Sequence, residues 1–210
     1  MDVILTIITI YLIYRLFRII RFTVKRITAI RKLNKLNGYL GIRVEFLRKP
    51  LSLLFGMKKT PDATVEVGNT VYLCRFYNGR GGRSQVHFAN EEYSAVFSVL
   101  LIRSFFNRSL KIKKGAQVHS TTGVNVKVNV IPRLEIPKKY DTGEYCEKKI
   151  VPVMIFSPAP SCVSYVTDEK TSIKLAFTGD EFRGIKIFTA SSFVKSLERE
   201  ARYFKENIDL

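Results

Sequence analysis

Twelve residues near the amino terminus, Val3 to Tyr14 (VILTIITIYLIY), carry no charge, and the following stretch to Lys35 carries eight basic residues and no acid. Few chains can bury such a segment and expose it at the same time. A helix rises ~1.5 Å per residue, so residues 3–20 would extend about 27 Å, close to the roughly 30 Å of a bilayer's hydrocarbon. Arg15 and Arg18 fall inside that length. A central arginine costs about 2.5–3.5 kcal/mol on insertion scales, but near a helix end its long stem carries the charge to the headgroups. The segment predicts a membrane anchor.

At 100° per residue, Arg15, Arg18, Arg21, Lys25 and Lys32 share one side of the continuing helix, and Leu16, Ile19, Ile20, Ile27 and Ile30 share the other. A basic amphipathic helix of this kind lies along an anionic leaflet, each cation contributing on the order of 1 kcal/mol. This assigns Arg15, Arg18, Arg21, Lys25, Arg26, Arg31 and Lys32 to the lipid surface. Only Asp2 precedes the apolar run, so the positive-inside rule places the amino terminus outside and the bulk of the chain in the cytoplasm, as a single-pass protein of the cell membrane. A cleaved signal peptide would show the reverse charge order. Two alternatives compete: a helix lying in the plane of the interface, and a buried helix of a soluble core.

The charge balance points the same way. Residues 1–60 hold 13 Lys and Arg against 2 acids, whereas residues 61–210 hold 22 against 16. The excess belongs to the anchor region, which favours anionic lipid as the partner ahead of nucleic acid. A protein partner is compatible with the same surface. Cys74, Cys146 and Cys162 are odd in number and show no pairing pattern, which suits a reducing compartment.

Three segments follow: an anchor helix with its basic extension over 1–36, a connector over 37–62, and one α+β domain over 63–210 that is mainly antiparallel and ends in a helix. Gly38 and Gly41 stop the basic helix. Thr64–Val67, a Gly68-Asn69 turn and Thr70–Tyr77 read as a hairpin, and Ser84–Ala89 as a third strand of the same meander. Tyr93, Val96, Phe97, Leu100 and Leu101 have helical spacing within 91–106, although Val96, Val99 and Ile102 also suit a strand. Val124–Val130 (VNVKVNV) alternates as a strand, and Ile150–Ser157 (IVPVMIFS) reads as a central strand covered on both faces. Ser161–Thr167, Ser172–Phe177 and Gly184–Thr189 are further strands. A last helix is capped by Thr189 or Ser191 and buries Phe193, Leu197, Ala201 and Phe204.

No motif of this chain names a chemistry. His87 and His119 lack metal-ligand spacing, so neither a metal nor another cofactor is expected. Cys74 and His87 lie on neighbouring predicted strands, but alternation puts Cys74 with Tyr72 and Phe76 in the core, so the pair reads as accidental. Asn78–Arg83 (NGRGGR) exposes backbone N–H groups beside Arg80 and Arg83, a weak anion-binding signal that an ordinary hairpin turn with solvated arginines explains better. Catalytic residues are thus not identified. The expectation is a binding or interaction domain displayed at the membrane. The alternatives are a membrane-attached hydrolase, nuclease-like in its use of Asp141, Glu147, Asp180 or Glu181, and a nucleic-acid-binding module using Arg80, Arg83 and the basic stretch Arg103–Lys114.

Overall fold

Strand β9 (Lys149–Phe156) is the axis of the larger sheet, with parallel partners on both edges: β3 (Thr70–Tyr77) on one and β13 (Ile185–Thr189) on the other. Its nearly unbroken apolar run is what two covered faces require. The computed structural model describes residues 2–48, 59–79, 84–88, 93–99, 110–111, 117–118, 124–131, 134–140, 147–166, 173–182 and 184–208. Antiparallel strands extend the parallel centre outward: β2 (Ala63–Val67) and β1 (Arg43–Phe46) beside β3, and β12 (Glu181–Phe182) beside β13. A second sheet has the order β11 (Ile173–Ala176), β10 (Cys162–Val166), β4 (Ser84–Phe88), β5 (Tyr93–Val99) and β8 (Val124–Val130), with β4 and β10 parallel. Two-residue strands β6 (Leu110–Lys111) and β7 (Gln117–Val118) pair with each other.

The pleat of the larger sheet assigns its residues to two cores. Val151, Val153 and Ile155 of β9 join Tyr72, Cys74 and Phe76 under two helices, α1 (Asp2–Asn34) and α2 (Ala190–Ile208). Met154 and Phe156 face the other way, onto Val86 and Phe88 of β4 and Val163 of β10. The layers are therefore helices, mixed sheet, mixed sheet.

This is an α+β fold closed by a carboxyl-terminal helix, and its sheets are mixed where a mainly antiparallel arrangement was expected. The difference arises at β3. Sequence neighbours suggested that β4 would extend the hairpin, but β3 instead takes β9 as its partner, and β4 crosses to the second sheet. Residues 93–99 are a strand, not a helix. There β5 lies between β4 and β8 and pairs with each along its length, so tertiary pairing overrides the helical spacing.

Helix α2 begins with a reciprocal cap. Thr189 Oγ1 accepts the Ser192 N–H at 3.2 Å, while Ser192 Oγ accepts the Thr189 N–H at 2.9 Å. Two otherwise orphaned donors are satisfied. Phe193, Leu197 and Ala201 then form the buried stripe, with Phe204 packed against it. Thr189→Ala is expected to cost about 1 kcal/mol, a fall of roughly 2–4 °C in Tm, readable by thermal unfolding followed by circular dichroism.

Helix α1 enters this body at its far end. Ala29, Ile30, Leu33 and Leu36 are buried in the same cluster as Val65, Tyr72 and Val153, so the base of the helix is held by the core. Gly38, at φ 83°, turns the chain back with its N–H donated to Ile42 O at 2.8 Å. Helix α1 meets Ser157 and Phe76, at the ends of β9 and β3, through Lys25 and Arg26, and the chain that leaves it starts β1 with Arg43 opposite Glu66, at the other end of the sheet. The helix is antiparallel to β3. The carboxyl ends of β3, β9 and β13 therefore point toward the free half of α1.

Candidate functional site

The free half of α1 is a bare apolar rod. Val3, Ile4, Leu5, Ile7, Ile8, Ile10, Leu12, Leu16, Phe17 and Ile20 are all exposed, from 49 % at Ile8 to 72 % at Val3. Successive positions advance 100° round the axis, so the oily surface covers every side of the helix. Thr9 donates its hydroxyl to Leu5 O at 2.8 Å, which hides a polar group inside the helix's own backbone. Among the described residues, no helix is long and apolar enough to cross a membrane.

Below the rod the cations divide between two environments. Arg21, Lys25, Arg31 and Lys32 are exposed, whereas Arg26 turns inward and donates to Phe76 O at 3.2 Å. Burial lowers the Arg26 pKa, and the Asp62 carboxylate opposes that shift. Arg26 is thus held by the domain and is removed from the set of surface cations. The side chains of Arg15 and Arg18 lie outside what the structure describes.

Asp62 is the centre of a buried polar knot that local sequence patterns do not reveal. Its Oδ1 accepts from Arg48 Nη1 at 2.6 Å and its Oδ2 from the Phe76 N–H at 2.7 Å. Arg75, 3 % exposed, has its pKa lowered by burial, again opposed by Asp62. The knot ties the segments just after β1 and just before β2 to Phe76 of β3, whose carbonyl also holds Arg26 of α1. Arg48, Asp62 and Phe76 stand 14 residues apart at each step, on separate segments, so no helix or strand spacing rule would collect them.

A cleft of about 290 Å³ opens at the carboxyl ends of the parallel strands. Lys25, Thr28 and Lys32 of α1 form one wall; Ser157, Pro158 and Ala159 after β9, with Thr189 to Ser191 entering α2, form the other. Ser157 Oγ donates to Lys25 O at 3.3 Å across it. In sheets with parallel strands this is the end where ligands are usually held. Here it also adjoins the apolar rod: Lys25 is five residues, roughly 7–8 Å of helix, beyond Ile20.

No family model, curated protein or solved structure matches the chain. Function must be argued from the site itself.

The other residues singled out by sequence do not assemble into a reactive centre. Cys74 and His87 sit in different sheets; Cys74 faces the helices, and burial keeps its thiol protonated by raising its pKa. The Nδ1 of His87 is 3.0 Å from Ser164 Oγ on the neighbouring strand, and burial lowers the imidazole pKa. Asp180 Oδ2 accepts the Phe177 N–H at 2.8 Å, a turn-forming bond, while Glu147 and Glu181 are exposed. Among the described residues, no group of three or more His, Cys, Asp or Glu could hold a metal ion. Arg80, Arg83, Asp141 and His119 lie outside the described residues, as does the basic stretch 103–114 except for Leu110 and Lys111.

Proposed function

We propose that the chain is a membrane-attached binding module. The apolar half of α1 enters the bilayer from the cytoplasmic side with the amino terminus outside, and the α+β domain is held against the inner leaflet. The observation that carries this reading is the all-round exposure of the described apolar side chains between Val3 and Ile20 on a helix whose base is locked into the core. A helix lying in the interface would leave half of those side chains in water, at about 25 cal/mol for each Å² of apolar surface. Insertion along the axis removes them all.

The uncharged run alone is shorter than a bilayer needs, and the two arginines that follow it stand near the carboxyl end of the 3–20 segment, where charge costs least. Next in line comes Arg21, and then Lys25 and Lys32 toward the domain. With Ser157 and Thr189, Lys25 and Lys32 make the cleft at the strand ends a seat for an anionic headgroup. The domain is held at a fixed height because the helix passes into the core without a linker.

The test is extraction of membranes carrying the full chain. It is expected to stay in the pellet through 1 M salt and through alkaline carbonate, and to leave only with detergent. Release by salt alone would sink the inserted-helix reading in favour of a surface-bound one. Lys25→Gln with Lys32→Gln is expected to leave extraction unchanged and to weaken retention by vesicles containing phosphatidylserine relative to vesicles of phosphatidylcholine.

A further inference from the structure

A second cleft, of about 450 Å³, lies on the opposite half of the domain, between the amino-terminal ends of β3 and β9 and the outer side of α2. Its lining joins four elements. Thr70 and Tyr72 come from β3, Lys149 and Val151 from β9, Lys186 from β13, and Ser196, Arg199, Glu200 and Tyr203 from α2. Three cations therefore share one concave surface. Among the described residues none of the three is in a salt bridge, although the adjacent Lys148 is paired with Glu66 at 3.2 Å, and Lys59 and Lys139 also have carboxylate partners.

The one carboxylate in the cleft is already engaged. Glu200 Oε2 accepts the Tyr72 hydroxyl at 2.5 Å. Burial, followed by that bond, raises the phenol's pKa, so the proton stays on Tyr72 and the bond persists across the physiological range. With three cations to one carboxylate, the cleft keeps an excess of positive charge. Like charges brought together round a cavity repel unless an anion lies between them. A chain as basic as this one has many free lysines, but on convex surface they spread apart; here a sheet and a helix hold them round one space.

We infer that this cleft binds a soluble phosphorylated ligand of nucleotide size. Lys149, Lys186 and Arg199 take the phosphate oxygens, with the hydroxyls of Thr70 and Ser196 as further donors. Tyr203, 64 % exposed at the rim, offers an aromatic face to a planar base. The volume lies within the range of small-molecule sites. Because α1 runs antiparallel to β3, this end of the sheet is the one farther from the apolar rod, so the ligand comes from solution and not from the lipid leaflet. The inference does not rest on the membrane reading.

The experiment uses the full chain in detergent micelles, titrated calorimetrically with ADP, with inorganic pyrophosphate and with a single-stranded 20-nucleotide DNA at 50 mM and 200 mM salt. ADP and pyrophosphate are expected to bind at one site per chain. Lys186→Gln and Arg199→Gln should each weaken both about tenfold, and Tyr203→Ala should weaken ADP alone. Lys186→Arg, which keeps the charge, should retain most of the affinity; unchanged unfolding midpoints show that each variant is folded. No saturable binding of ADP or pyrophosphate at millimolar concentration would overturn the inference. So would binding of the DNA only, with affinity lost at higher salt, because that is the behaviour of diffuse surface charge.

Discussion

Asp62→Ala is expected to destabilise the domain by about 3–5 kcal/mol, because removing one member of a buried ion pair leaves the other charge without compensation. The side chains of Asp62 and Arg48 are 5 % and 7 % exposed, so water does little to replace what is lost. Two bonds go together: the 2.6 Å contact to Arg48 Nη1 and the 2.7 Å bond from the Phe76 N–H. The remaining charges also become adverse. Asp62 is the anion that offsets the burial of Arg26 and Arg75, while Arg48 acts on both as a like charge. The Asp62 backbone has its own partners, donating to Cys74 O at 2.8 Å and accepting from Leu47 at 3.1 Å, so the substitution reports on the carboxylate and not on a broken strand end.

Asp62→Asn keeps the shape and one acceptor while removing the charge, and its cost should fall below that of alanine by the worth of the retained backbone bond, roughly 1 kcal/mol. The pair Arg48→Met with Asp62→Leu should be less damaging than Asp62→Ala alone, since it leaves no buried charge of its own. Urea unfolding in detergent, followed by far-ultraviolet circular dichroism, gives all three values. A cost under about 1 kcal/mol for Asp62→Ala would mean that the pair behaves as a solvated surface bridge, contrary to its burial.

The same knot shows where sequence reading stops. Strands β2, β3, β8, β9, β10, β11 and β13 and helix α2 all lie where period-two or helical spacing placed them, because each is written in a contiguous run of side chains. Partnership is not written that way. Thr70 of β3 stands opposite Lys149 of β9, 79 positions on, and nothing local distinguishes that pairing from the adjacent one with β4. In β5, residues 93–99 carry side chains compatible with either period, and the flanking strands decide. The site was legible to a similar depth. Charge order alone marked Lys25 and Lys32, but their wall-mates Ser157 and Thr189 reach them only through the antiparallel course of α1. Lys149, Lys186 and Arg199 carry no shared spacing, and only the folded sheet and α2 bring them to one cleft. Arg26 shows the converse: its position in a basic run marked it for the leaflet, while packing against Phe76 claims it for the core.

Ile8→Lys combined with Leu12→Lys is expected to move the full chain from the membrane pellet to the soluble fraction. Both positions are exposed, 49 % and 59 %, and both lie well before Lys25 and Arg26, where α1 bonds to the domain, and Ala29, where it joins the core. For a helix standing in water the two changes would be surface substitutions, worth within about 0.5 kcal/mol each and favourable to solubility. Near the middle of a bilayer each lysine instead costs about 2.5–3.5 kcal/mol, and the pair together roughly 5–7, comparable to the whole insertion free energy of so short an apolar run. The two environments thus assign the same substitutions effects that differ by an order of magnitude. Fractionation of cells expressing each form, with urea unfolding of the domain as a control for folding, reads the difference directly. If the doubly substituted chain fractionates with membranes as the original does, residues 3–20 are not in lipid, and the exposed apolar surface must instead be covered by another protein helix.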